Sequence, residues 1–97
     1  MPRRYPPLSP REVIAILVAR SFALTRTRGS HEQYEGLIRG KWRRVTVDVH
    51  YSDFDDRLIK SMIRQSGLTR EEFYGSTKRT ARKINLRAKK YPIPLKD

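Results

Sequence analysis

The chain holds two imidazoles, His31 and His50, and a hairpin would bring both beside one carboxylate, Asp48. With Arg39 and Gly40 as the two central residues of the turn, Leu37 opposes Trp42, Glu35 opposes Arg44, Gln33 opposes Thr46 and His31 opposes Asp48. His50 then lies on the same face, one pleat further along. Such a cluster suits cleavage of RNA without a metal. Attack of a 2′-hydroxyl on the adjacent phosphorus needs a base to take its proton and an acid to protonate the departing 5′-oxygen. An imidazole, which changes charge near neutrality, fills either role. His31 is the candidate catalyst, Asp48 is suited to orient its ring and stabilise its cation, and His50 is a candidate for support. His50 equally suits a turn or a helix cap. Arg26, Arg28, Lys41, Arg43 and Arg44 offer positive charge for phosphate. No carboxylate cluster suggests magnesium, and no cofactor or metal is expected. Ser30 precedes His31 in what reads as extended chain, so their side chains should point to opposite faces, which leaves a serine nucleophile unsupported.

The elements that must position these groups can be read in chain order. Ser9-Pro10-Arg11-Glu12 is a helix start, with Ser9 as cap, Pro10 at the first position and Glu12 closing a capping box. Val13, Ile16, Leu17 and Arg20 share one face of that helix. A strand follows over Phe22 to Thr27, with Phe22 and Leu24 to one side and Ala23 and Thr25 to the other. Arg28-Gly29-Ser30 reads as a tight turn, His31 to Leu37 as a second strand, and Trp42 to Val49 as a third. In the third, Arg43, Val45, Val47 and Val49 face one way, and Trp42, Arg44, Thr46, Asp48 and His50 the other. Trp42, the chain's one tryptophan, is then partly exposed, placed to pack on Leu37 or to stack on a base. Ser52 or Asp53 should cap a second helix striped with Leu58, Ile59, Met62 and Ile63, and Gly67 should end it. Thr69-Arg70-Glu71-Glu72 is a second capping box opening a short helix that carries Phe73. Both main helices then cover one face of the sheet and leave the other open.

Charge narrows the partner. Lys and Arg number 22 against 10 Asp and Glu in 97 residues, a formal charge of +12, which points to an anion and most commonly to nucleic acid. One small domain fits this length, with a thin core, and a multidomain enzyme does not. Without cysteine there is no disulfide framework and no thiol nucleophile. The longest apolar run, Val13 to Ala19, is too short to span a bilayer and lacks a secretory cleavage site, so a cytoplasmic protein with no membrane contact is expected. Residues 1–8, with Pro2, Pro6 and Pro7, read as a flexible arm, 9–76 as the folded domain and 77–97 as a basic, partly helical extension. The extension carries Lys78, Arg79, Arg82, Lys83, Arg87, Lys89 and Lys90 with no acidic residue among them, and the first four are candidate RNA contacts.

Arg28-Gly29-Ser30-His31, followed by Tyr34, resembles the corresponding element of the HicA (YcfA-like) family of toxin ribonucleases. Three further stretches agree in order and spacing: Arg11 to Ile14, Arg44 to Val47, and Leu58 to Thr69. The likeness covers about Ser9 to Phe73. It implies an α+β fold like a double-stranded-RNA-binding domain, α-β-β-β-α, in accord with the independent pass along the chain. It also implies an mRNA interferase that needs His31, and a HicB-type antitoxin that covers the active surface. The pattern does not explain the basic extension. Asp48-Val49-His50 also replaces a proline common just after that strand, so the resemblance speaks for His31 and not for Asp48 or His50. The competing expectation is a non-catalytic binder of RNA or DNA on the same fold, although no helix pair here has the compact turn of a helix-turn-helix unit.

Overall fold

The computed structural model describes residues 4–96. Its elements are α1 (Pro10–Ala19), β1 (Ala23–Arg28), β2 (His31–Ile38), β3 (Lys41–Asp48), α2 (Asp56–Ser66), α3 (Arg70–Tyr74) and α4 (Lys78–Arg82). The sheet is antiparallel with β2 in the middle, and the whole is the expected α-β-β-β-α arrangement with an open three-stranded sheet. The Ser9 capping box closes reciprocally: Glu12 N–H donates to Ser9 Oγ at 3.1 Å and Ser9 N–H to Glu12 Oε1 at 2.9 Å. Thr69 and Glu72 repeat the device. Arg39 and Gly40 both adopt positive φ, as a two-residue hairpin turn requires.

Period two in the strands and the helical stripes meet in one core. Tyr34, Ile38, Val45 and Val47 of the sheet pack with Val13, Ile16 and Leu17 of α1 and Ile59 and Met62 of α2. Gly67 ends α2 with φ +75, and the Arg43 side chain lies so close that any Cβ there would meet its Nε.

Several details differ from the sequence reading. Phe22 enters the core from the connection after α1, so β1 starts at Ala23 rather than at Phe22. Leu24 is half exposed, since no helix covers that edge of the sheet. Val49 is not on the buried side, because β3 stops at Asp48. The cap of α2 is Asp55 rather than Ser52 or Asp53: Phe54 is drawn into an extended bridge with Leu8 and delays the helix.

The arm expected over residues 1–8 is docked wherever it is described, from Arg4 onward. Leu8 is fully buried, its carbonyl accepts from Phe54 N–H at 2.8 Å, and the Pro6 carbonyl accepts from the Tyr74 hydroxyl at 2.7 Å. A leucine just ahead of the cap closes the end of the core. Pro2 lies outside the described residues.

The basic extension is also built into the domain rather than appended to it. α4 is five residues long, and Thr80 and Ala81 are buried. The chain then folds back so that Ile93 N–H donates to the Gly75 carbonyl at 3.0 Å. Arg20, the residue that caps the end of α1, explains the docking. Its guanidinium donates to Ser76 Oγ (2.9 Å), the Ile93 carbonyl (2.6 Å) and the Glu72 carbonyl (2.9 Å). A charge this buried needs such partners, and the returning chain completes a set that α3 and Ser76 begin.

Candidate active site

The uncovered face of the sheet is organised in rows. Arg28, His31 and Asp48 stand side by side across β1, β2 and β3, and the next row is Arg26, Gln33 and Thr46. The pairing of β2 with β3 follows the expected register residue for residue, from Leu37 opposite Trp42 to His31 opposite Asp48. His31 Nε2 lies 3.4 Å from Asp48 Oδ2, with the imidazole 60% exposed. A short two-residue turn, in which Gly29 takes φ +58, delivers His31 to the end of the central strand.

Arg26 and Arg28 reach this face through a β-bulge. Leu24 pairs with Tyr34 and Arg26 with Gln33, so Thr25 is an extra residue. Regular pairing would have set Arg26 opposite Glu32, on the helix side. Thr25 is held by its own hydroxyl, which meets the Gln33 carbonyl (3.3 Å) and the Glu35 carboxylate (3.1 Å).

Asp48 carries more partners than the sequence suggested. Its carboxyl is held below the usual carboxylate range, first by the Ser30 hydroxyl, then by the His50 amide, with both imidazoles adding to the effect. Ser30 lies in the turn before β2 rather than in a strand, so the strand alternation expected to set its side chain opposite that of His31 does not apply. His50 is not one pleat further along β3 either. It sits in the turn after the strand, where its backbone N–H donates to Asp48 Oδ1 at 3.0 Å.

The other candidate cations scatter. Lys41 is at the hairpin tip, seven residues along β3 from Asp48. Arg44 is on the open face but pairs with Glu35 at 3.2 Å. Arg43 points to the helix side against Gly67, and its Nε is buried without a partner among the described residues. Arg79 and Lys83 meet the Glu12 carboxylate at 3.2 and 3.1 Å, while Lys78 and Arg82 line a separate hollow with Arg87 and Tyr91. Tyr34, the aromatic of the Gly-Ser-His element, turns inward. Its hydroxyl donates to Glu32 Oε1 at 2.7 Å, and burial with that carboxylate pushes its pKa up to about 12.

Two hollows flank His31. One, of about 260 Å³, is bounded by Arg26, Arg28, His31, Gln33 and Thr46. The other, of about 230 Å³, runs from His31, Thr46 and Asp48 across the β3 edge to α2. Sequence reasoning missed the α2 contribution, above all Gln65, whose Oε1 accepts from Thr46 N–H at 3.2 Å and closes the exposed edge of β3.

A family model described as the HicA toxin of bacterial toxin-antitoxin matches residues 10–68. The chain belongs to the HicA toxin family. It is therefore a toxin of a toxin-antitoxin system. No curated protein and no solved structure matches it. The HicA match takes in α1, the whole sheet and α2, and hence every residue of the row that holds His31. It stops before α3 and α4, the part that carries Glu72 and the returning chain. No helix of the described residues is long and apolar enough to cross a membrane.

Proposed function

We propose that this HicA toxin is a metal-independent endoribonuclease of messenger RNA, acting in the cytoplasm and neutralised by a HicB-type antitoxin. The observation that carries the reading is the row Arg28, His31, Asp48: an exposed imidazole between a guanidinium and an ionised carboxylate. Asp48 faces Nε2 and favours the ring proton there, which leaves Nδ1 as the base. The 2′-oxygen attacks phosphorus while Nδ1 takes its proton, the P–O5′ bond breaks, and the departing 5′-oxygen takes a proton from water. The products are a 2′,3′-cyclic phosphate and a 5′-hydroxyl. Arg26 and Arg28 are suited to the phosphate and to the charge that builds on it. Leu37 and Trp42, apolar neighbours exposed on the same face, are suited to a protein partner that covers the site.

The test is cleavage of an unstructured RNA in the presence of a chelator. Wild type should cut and leave cyclic phosphate ends, and His31→Ala should retain the fold without cutting. Equal cutting by both proteins, or RNA binding with no new ends from wild type, would overturn the nuclease reading, and the second result would favour a non-catalytic binder.

A further inference from the structure

The two hollows beside His31 differ in chemistry. The Arg26–Arg28 side is cationic and matches phosphate. No Lys or Arg lines the β3–α2 side. Phe54 and Met62, nearly buried, form its floor with Leu58, and the half-exposed Tyr51 stands at its rim, its ring 5.4 Å from that of Phe54. Its polar groups are neutral apart from Asp48 at the His31 end: Thr46, Ser61 and Gln65. An apolar floor, an aromatic rim and a few neutral hydrogen-bonding groups are the features by which proteins hold a single splayed-out base.

We propose that this hollow seats the nucleobase next to the scissile linkage and that Gln65 favours the carbonyl oxygen at position 4 of uracil or position 6 of guanine over the amino group at the same position of cytosine or adenine. The proposal rests on the nuclease reading, which puts the ribose and phosphate at His31, on the shared wall of the two hollows. The selection follows from one bond. Thr46 N–H donates to Gln65 Oε1, which fixes the side-chain amide so that its oxygen faces the strand and its NH₂ group faces away. The usual bidentate reading of adenine by glutamine presents both the oxygen and the NH₂ group to the base, and here the oxygen is turned toward Thr46 of the strand. The group turned away from the strand is the NH₂ donor, which pairs with O4 of uracil or O6 of guanine and not with the amino group that cytosine and adenine carry at the same position.

Gln65→Glu tests this sharply. A carboxylate still accepts from Thr46 N–H, so the strand edge stays closed, but the donor is replaced by an acceptor. The probes are 2′-O-methyl oligonucleotides, which cannot be cut, differing in a single base. Wild type should bind uracil or guanine about threefold to tenfold more tightly than cytosine or adenine at that base, and Gln65→Glu should reverse the order. Equal affinities for all four bases in wild type, or the same preference in both proteins, would overturn the proposal. If binding follows the expected pattern while wild type fails to cut ordinary RNA, the base site stands and the nuclease reading falls.

Discussion

His31 and Asp48 face each other across the β2–β3 ladder, with Nε2 3.4 Å from Oδ2, and the His50 amide donates to the other carboxylate oxygen, Oδ1, at 3.0 Å. The Ser30 hydroxyl and the His50 amide hold the Asp48 carboxyl below its ordinary value of 3.8, so it takes up a proton less readily than a free aspartate. His31→Ala is expected to lower cleavage by about 10² to 10⁴-fold, the usual worth of a general base. Asp48→Asn keeps the shape but removes the charge that orients the ring, and should lower kcat on the order of 10²-fold with KM little changed. Single-turnover cleavage of a fluorogenic RNA measures both. A change confined to KM in Asp48→Asn would show that the carboxylate acts in binding instead.

Arg26, Arg28 and Arg43 are equal in charge and unequal in placement. The first two share a hollow with His31, whereas Arg43 is tucked against Gly67. Each phosphate contact to a single strand contributes about 0.7 to the slope of log K against log salt. The double variant Arg26→Ala with Arg28→Ala should therefore flatten the slope by roughly 1.4, and Arg43→Ala should leave it unchanged. Binding isotherms at four salt concentrations decide the matter, and a slope that responds equally to all three would put the RNA elsewhere.

The register that joins His31 to Asp48 was legible because two local signals agree: Arg39-Gly40 suits a two-residue turn, and the valines of β3 fix which face is buried. Thr25 shows the limit of that reasoning. An extra residue in a strand leaves no mark on alternation in a segment as exposed as β1, so the turn of Arg26 and Arg28 toward His31 was not visible. For Arg43, alternation already pointed inward, yet its charge made it a candidate RNA contact; the structure follows the alternation. The hollow against α2 depends on where a helix lies beside a strand edge, a long-range relation that no local pattern encodes. The returning C-terminal chain was hidden for the same reason. The apolar residues that pack from it, among them Ala81, Ile84 and Leu95, are sparse among lysines and arginines, and the return of the chain at Ile93 meets Arg20 far upstream.

Glu72 makes the fold sensitive to acid. Burial alone would raise its pKa, but the Arg39 guanidinium and the amides of Lys96 and Thr69 outweigh burial and hold it below the ordinary 4.5. Since the folded state holds this proton less firmly than the unfolded chain, the associated stability is complete above pH 4.5 and is lost as pH falls through the lower folded-state value. Glu72→Gln should cost about 2 kcal/mol at neutral pH, less than a fully enclosed pair because Arg39 keeps some contact with water, and should flatten the acid side of the stability profile. Urea titrations between pH 3 and pH 7 test this, and an unaltered acid profile would assign the sensitivity to another carboxylate.

Arg20 and Ile93 lie 73 positions apart and are joined at 2.6 Å, which makes the C-terminal segment part of the structure rather than a detachable RNA-binding tail. Truncation after Gly75 removes Ser76 and Ile93 as partners of Arg20, uncovers the surface under Ala81, Ile84 and Leu95, and frees Glu12 from Arg79 and Lys83. The melting temperature should drop by roughly 10 °C or more, since each kcal/mol is worth about 4–8 °C in a domain of this size. Arg20→Met, which keeps every basic residue of the segment, separates packing from charge. It should destabilise by about 2–4 kcal/mol, the cost of losing several charged hydrogen bonds in a buried setting, and leave the salt slope for RNA unchanged. A truncated protein that melts at the wild-type temperature and loses only RNA affinity would return the segment to the role of a solvated polycation.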